Sequence, residues 1–279
     1  PWIIGFLVFT LIPSIYCLWI SLTDWDMFSN PKFIGLKNYI GLLHDDLFFQ
    51  SLYVTVRFVL TSVGISMLLA LVLALLVNMN SRAMYFFRTV FYIPSVVSGI
   101  AVALVWSWIL SPDFGIVNYV LSLFGIKGPD WLGNPATAPW AFVVIMCTTF
   151  VGAPMVIFLA GLQNVPPNLY ESTSLDGAGY FAKLFYITLP EIRPIILFNL
   201  ITMVIGAFRT FTQAYTLAGK DGNPRHSLLF YVLYMYNTGF GDMRMGKACA
   251  MAVVFFLLVL VFVIIIMKLT GLQEEDSTI

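Results

Sequence analysis

The stretch LDGAGYFAKLFYITLP, Leu175 to Pro190, places Gly177-Ala178-Gly179 three residues ahead of Ala182. Read alone, G-x-G-x-x-A is close to a dinucleotide-binding fingerprint. Such a fingerprint must follow a buried strand and open a helix, with an acidic residue about 20 positions on. Here the preceding residues are QNVPPNLYESTS, which form no apolar strand, and a long apolar run follows where the acidic residue should be. The glycines therefore punctuate helices. Pro166-Pro167 ends one helix and starts another, because proline suits a first helical turn. Asn168 to Leu175 predicts about two turns of helix. Gly177 and Gly179 break it, glycine being free to take positive φ. Tyr180 to Thr188 resumes a helix that stops at Pro190. A helical hairpin of this kind either docks onto something or is a plain interfacial loop.

The surroundings of the hairpin are membrane-like. Of 279 residues, 60% are hydrophobic and 10% charged, and the mean hydropathy is +0.91. A soluble domain averages roughly 45–50% apolar and about 25% charged. So few charges cannot cover a water-facing surface, and the chain reads as an integral membrane protein. Net charge is zero, which gives no electrostatic case for nucleic acid or an anionic surface. Cys17, Cys147 and Cys249 lie far apart in apolar runs, so they read as packing residues without a disulfide framework or a metal spacing. The sequence opens on Pro1-Trp2 inside an apolar run, so the expectation is an incomplete N-terminus and a retained span rather than a signal peptide.

A membrane-crossing helix needs ~20 mostly apolar residues. Six segments qualify: 2–20, 52–77, 90–110, 140–162, 192–217 and 248–269. The predicted fold class is all-α, with six transmembrane helices and the helix-turn-helix of 163–190 between spans four and five. Leu228–Met235 is too short to span and reads as an interfacial helix. Basic residues divide too evenly between the loops to set orientation. Pro94 and Pro154, with Gly99 and Gly152, should kink spans three and four.

Chemistry is scarce. Every Asp and Glu lies in a loop or at a span end, which argues against a proton-driven carrier. Gly219-Lys220 and Gly246-Lys247 lack the upstream glycine and following Ser/Thr of a P-loop. His44 and His226 are isolated loop residues. No catalytic, metal or cofactor constellation is visible. Candidate path-lining residues are the polar and aromatic ones inside spans: Asn199, Arg209, Gln213 and Tyr215 on span five, with Thr148 and Trp106. Arg209 either lines a cavity or snorkels to the interface, and Trp106 either stacks on a sugar ring or joins an interfacial belt. Arg57, near the start of its span, reads as snorkelling or structurally paired.

Glu171-Ser172-Thr173, Gly177 and Ile187-x-Leu189-Pro190 match the spacing of the E-A-A-x3-G-x9-I-x-L-P loop of ABC importer permeases, and Asp176-Gly177-Ala178 resembles its D-G-A. Ser172 and Thr173 stand where that loop has two alanines. The resemblance extends over FIGLKNYIGLL, LIPSIYCLWISLTDWD and the residues from Phe208 to Leu258, which are similar to carbohydrate-uptake permeases of the maltose and glycerol-phosphate type, first-subunit kind. It implies a bacterial or archaeal plasma (inner) membrane location and a cytoplasmic hairpin. It also implies a heterodimer with a second permease, two ATP-binding subunits and an external solute-binding protein. The cargo would be a sugar, oligosaccharide or sugar derivative, the alternatives being an ABC importer permease for a non-carbohydrate solute or a stand-alone secondary carrier or channel; ATP and Mg would be used by the partner ATPase and nothing would be bound as cofactor by this chain. Carried onto this sequence, the ATPase-coupling residues are Glu171, Ser172, Asp176, Gly177, Ala178, Tyr180, Phe181, Leu184 and Pro190.

Overall fold

The computed structural model describes residues 1–79, 81–175 and 177–269. The chain is mostly helical. Helix α1 (Trp2–Ile20) contains a π turn at Leu7–Leu11, just before Pro13, which has no N–H to return to the preceding turn. A two-residue ribbon follows, β1 (Thr23–Asp24) antiparallel to β2 (Lys32–Phe33), with Thr23 opposite Phe33 and Asp24 opposite Lys32. Next come α2 (Lys37–Leu43), α3 (Asp46–Val77), α4 (Arg82–Val96), α5 (Gly99–Ile109) and α6 (Ile116–Leu123). After these, α7 (Ala138–Phe150), α8 (Gly152–Asn164), α9 (Pro167–Leu175), α10 (Tyr180–Glu191) and α11 (Arg193–Phe208) run in order. The described chain ends with α12 (Thr212–Ala218), α13 (Tyr231–Tyr236) and α14 (Met245–Leu269).

Three helices, α1, α3 and α14, are each long and apolar enough to cross a membrane. Three bent helix pairs reach that length and hydropathy only when taken together: α4–α5 turns by 103°, α7–α8 by 46° and α10–α11 by 67°. The break in the third segment follows Pro94, where a kink was expected, whereas the expectation of one continuous helix over 192–217 is corrected. The third segment turns at Val97–Ser98, both in extended conformation, shortly after Pro94. The fifth ends at Phe208, breaks over Arg209–Phe211 and resumes as α12. The bend at Val151 sits just before Pro154, which cannot give an N–H to the Phe150 carbonyl. Gly152 lets α8 close on α4 there, since a Cβ would stand 2.7 Å from the Phe91 carbonyl oxygen.

Helix α3 is the central post. Its buried stripe is made of small residues: Ser51, Thr55, Ser62, Ser66, Ala70 and Ala74 are all within 1% of full burial. These let α7, α8, α11 and α13 approach closely, as membrane helices must when apolar burial alone does not drive them together. Around its outer half lies an aromatic triangle. Phe58, Phe142 and Phe230 have centroids 5.4, 5.0 and 4.9 Å apart. Around its other half, Ala70, Ala74 and Val77 pack with Met155, Phe158, Leu162 and Ile192. Helix α1 lies along α14 and is otherwise almost bare. Cys17 and Cys249, distant in sequence, meet there, the Cys17 thiol 3.9 Å from the Cys249 carbonyl oxygen, and both are free.

Both ends of α3 are capped. At the start, Asp45 accepts from the N–H groups of Leu47 and Phe48 at 3.1 and 3.3 Å. Its other oxygen takes Lys247 Nζ at 2.5 Å and the Tyr234 hydroxyl at 2.6 Å, binding α3 to α13 and α14. At the far end, Arg88 gives Nε and Nη2 to the Val77 carbonyl at 3.0 and 2.7 Å, a cation at a helix C-terminus.

Ala70→Leu should force α3 away from its neighbours and cost about 1–3 kcal/mol, read as a lower thermal midpoint in detergent. Partial burial alone would raise the Asp45 pKa; its bonds to Lys247 and Tyr234 outweigh that and hold it below the usual carboxylate value. A depressed folded pKa means the stabilisation is present above the unfolded value and lost as pH falls through the folded one. The triad should therefore weaken below about pH 3.9. Asp45→Asn should lower the midpoint at pH 7 and flatten its acid dependence.

Candidate functional site

The hairpin of the opening stretch is present as a built element. Val165, held extended by the following proline, separates α8 from α9, and Pro167 occupies the first position of α9. Helix α9 closes with a Schellman arrangement. The Ala178 N–H reaches the Thr173 carbonyl at 3.0 Å and the Gly177 N–H reaches Ser174 at 3.2 Å. Gly177 has φ +78°, a left-handed conformation that glycine takes without the Cβ penalty. Gly179 then leads extended into α10.

Ser172 and Thr173 return their hydroxyls to their own helix. Ser172 Oγ donates to the Leu169 carbonyl at 3.1 Å, and Thr173 Oγ1 donates to the same carbonyl at 2.7 Å. Polar groups satisfied in this way leave the helix intact where alanines would also serve. Two bonds tie the arms together. The Tyr170 hydroxyl lies 2.9 Å from Thr188 Oγ1, and Lys183 Nζ donates to Ser174 Oγ at 2.6 Å. The base of the hairpin is continuous with the core, since Leu169, Tyr170, Ile187 and Leu189 pack against the α3–α8 cluster.

The tip is different. Leu175 is 90% exposed, Phe181 71% and Tyr186 83%, with Tyr180 and Phe185 beside them. Tyr180 and Phe181 meet edge to face, centroids 5.6 Å apart. Glu171 and Pro190 are exposed too, and the Glu171 carboxylate has no hydrogen bond or ion pair among the described residues. Leu184 is half-buried, turned into a hollow of about 260 Å³ shared with Leu75, Leu162 and Tyr170. Asp176 lies outside the described residues. A rigid base under an apolar, aromatic tip is the form of a docking surface.

The structure scatters the sequence-predicted path residues. Asn199 is fully buried and donates Nδ2 to the Pro154 carbonyl at 3.3 Å, tying α11 to the bend of α7–α8. Trp106 packs in a small cluster with Val102, Leu110, Ile145 and Trp131. Thr148 lines an apolar groove with Leu69, Phe91 and Pro94, and its hydroxyl returns to the Ile145 carbonyl at 2.6 Å. Gln213 does approach another break, its amide lying over Gly99 where a Cβ would stand 2.6 Å from Nε2. Tyr215 joins an aromatic run through Phe211 and Tyr236, with centroids 5.7 and 5.0 Å apart. Arg209 is exposed at the end of α11. Thus Gln213 and the α4–α5 bend come together, while Asn199, Thr148 and Trp106 lie apart from them among other contacts. Sequence reading missed the Tyr170–Thr188 and Lys183–Ser174 bonds; residue types alone carry no signal for contacts set by turn geometry.

Residues 63–272 match the family described as binding-protein-dependent transport system inner membrane component. The chain belongs to that family. A probable ABC transporter permease protein of Bacillus subtilis, YesP, is 40% identical over 271 residues, covering 96% of this chain and 87% of that protein. The trehalose/maltose transport system permease protein MalF of Thermococcus litoralis is 33% identical over 271 residues, covering 96% and 90%. Among solved structures, a chain of the bacterial alginate ABC transporter, in complex with a periplasmic protein carrying an alginate pentasaccharide, superposes with TM-score 0.85. It shares 24% identity and covers 97% of this chain and 91% of its own. The fold is therefore that of a transport permease, and the expected family resemblance stands.

Gly177→Ala should strain the left-handed turn by about 1–2 kcal/mol. Limited proteolysis should then cut faster between Leu175 and Tyr180, with the thermal midpoint of the spans little changed.

Proposed function

We propose that this chain is the permease subunit of an ATP-driven importer that carries a sugar or oligosaccharide into the cytoplasm. Support for the carbohydrate comes from the cargo named for its relatives, trehalose and maltose in one and alginate in the solved fold neighbour. The observation that carries the mechanism is the α9–α10 hairpin, stiff at its base and apolar at its tip. It is the coupling element, facing the cytoplasm and seated in a groove of an ATP-binding subunit. Phe181, Tyr180, Leu175 and Tyr186 supply the buried anchors there, and Glu171 supplies a charge at the rim. Each bent pair counts as one span, giving six in a bacterial or archaeal plasma membrane.

The chain works beside a second permease, two ATP-binding subunits and an external solute-binding protein. ATP and Mg act in those ATP-binding subunits. Closure of the nucleotide-binding pair moves the hairpin, and the bent spans rock from inward-facing to outward-facing. The binding protein delivers its sugar to a cavity that opens where the α4–α5 bend meets the break between α11 and α12. Gln213, Tyr215 and Arg209 line it. Broken helices at membrane depth are the usual place for such a site, because freed backbone groups face cargo or water.

Tagged chain drawn from its host in mild detergent should bring down a second permease and an ATPase, and proteoliposomes of that assembly should take up sugar only with ATP. A chain that purifies alone and transports without ATP would overturn the reading. Phe181 is 71% exposed and its ring pairs with Tyr180, so Phe181→Ala should leave the fold intact. Loss of a central aromatic anchor of about 2 kcal/mol or more should nevertheless release the ATPase on washing.

A further inference from the structure

Arg57 is out of place. It stands on α3, exposed, and its guanidinium makes no ion pair or hydrogen bond among the described residues. Its guanidinium lies over the Trp140 ring, 5.4 Å from the centroid. An arginine stacked by one face keeps its edge N–H donors free for a planar or tetrahedral anion.

Its depth is fixed by the helix that carries it. From Phe58 to Val77, α3 has no charged residue. That run of about 20 residues rises ~30 Å, the thickness of a hydrocarbon core. Val77 stands at the hairpin end, packed with Leu162, Val165 and Leu169. Arg57 therefore sits at the opposite boundary, where headgroups begin. Trp140 and Tyr53 are both more than half exposed beside it, as aromatic side chains at a lipid–water boundary are.

Arg57, Trp140, Tyr53, Gln50 and Ser227 share one cavity of about 100 Å³. None of its lining residues is acidic. The Ser227 hydroxyl oxygen is buried and has no hydrogen-bond partner among the described residues, a costly state unless a ligand supplies one. The volume equals the liquid share of about three waters and lies below the roughly 300 Å³ at which small-molecule pockets begin. It suits a single phosphate group and excludes a sugar ring with its neighbours.

We propose that this cavity binds the phosphodiester of an anionic phospholipid in the leaflet opposite the hairpin. Arg57 neutralises the phosphate, Ser227 and Gln50 complete its hydrogen bonds, and Trp140 and Tyr53 lie along the glycerol and upper acyl region. A net-negative headgroup is favoured over a zwitterionic one because the site offers one cation and no anion.

The test is native mass spectrometry of the full chain, purified with whatever subunits it retains, delipidated and titrated with phosphatidylglycerol or phosphatidylcholine. Wild type should hold one phosphatidylglycerol more tightly than phosphatidylcholine, and inorganic phosphate should not compete at equal concentration. Arg57→Gln should weaken that adduct about tenfold, as loss of a charge-assisted bond does. Arg57→Lys, which keeps charge but not the stacked fork, should fall between, and gives the same readout if Arg57→Gln does not fold. Arg82→Gln, at the hairpin side, should leave the adduct unchanged. Equal adducts for both lipids, or equal loss from Arg57→Gln and Arg82→Gln, would overturn the site. Tight competition by inorganic phosphate would overturn the lipid as its occupant.

Discussion

Close approach along α3 governs the rest of the fold. Inside a bilayer, lipid tails are as apolar as leucine, so helices gain little by hiding greasy side chains from them. They gain by fitting together. The stripe from Ser51 to Ala74 removes side-chain bulk from one face of α3, and the larger residues of its neighbours fill the space, among them Phe142, Met155, Phe158 and Phe208. Three of the four stripe hydroxyls are bonded, Ser62 Oγ being the exception among the described residues. Ser51 Oγ returns to the Phe48 carbonyl and Thr55 Oγ1 to the Ser51 carbonyl, both at 2.8 Å. Thr55 Oγ1 also accepts the Tyr231 N–H at 2.8 Å, so the stripe holds α13 as well as packing it.

A straight post permits its neighbours to be broken. Backbone groups freed at a bend have no water in the hydrocarbon core and must find protein partners. Asn199 reaches the Pro154 carbonyl near the α7–α8 bend, and Gln213 covers Gly99 just after the α4–α5 bend. Two of the three bends are thus met by a polar side chain from the α11–α12 segment. Polarity in a span has two uses, holding a bend and lining a path, and residue type alone does not separate them.

Legibility divided along the same line. The hairpin was readable because proline and glycine act through local backbone sterics, which need no partner. Pro167 and Gly177 stand in the conformations their chemistry favours. The long apolar helices α1, α3 and α14 were readable because hydrophobic length has a fixed scale. The bends were readable as places, from Pro94 and Pro154, but a turn of 103° was not; its size depends on what packs either side. Contacts such as Asp45 with Lys247 or Cys17 with Cys249 join ends of the chain. Nothing in residue type or spacing announces them. Trp106 had two readings, a sugar platform and an interfacial belt, and neither announced that it packs in one cluster with Trp131.

The hairpin's two arms issue from different bent pairs, α9 from the end of α7–α8 and α10 into the turn before α11. Tyr170 and Thr188 join those arms at the base. Leu169 and Ile187 pack the same base against the C-terminal end of α3, where Arg88 closes the Val77 carbonyl. Under the coupling role proposed above, a displacement of the hairpin would be passed to both pairs together rather than to one arm. The bends of 46° and 67° are where the helix direction already changes, and a rotation of the helices beyond them is the response that the proposal requires.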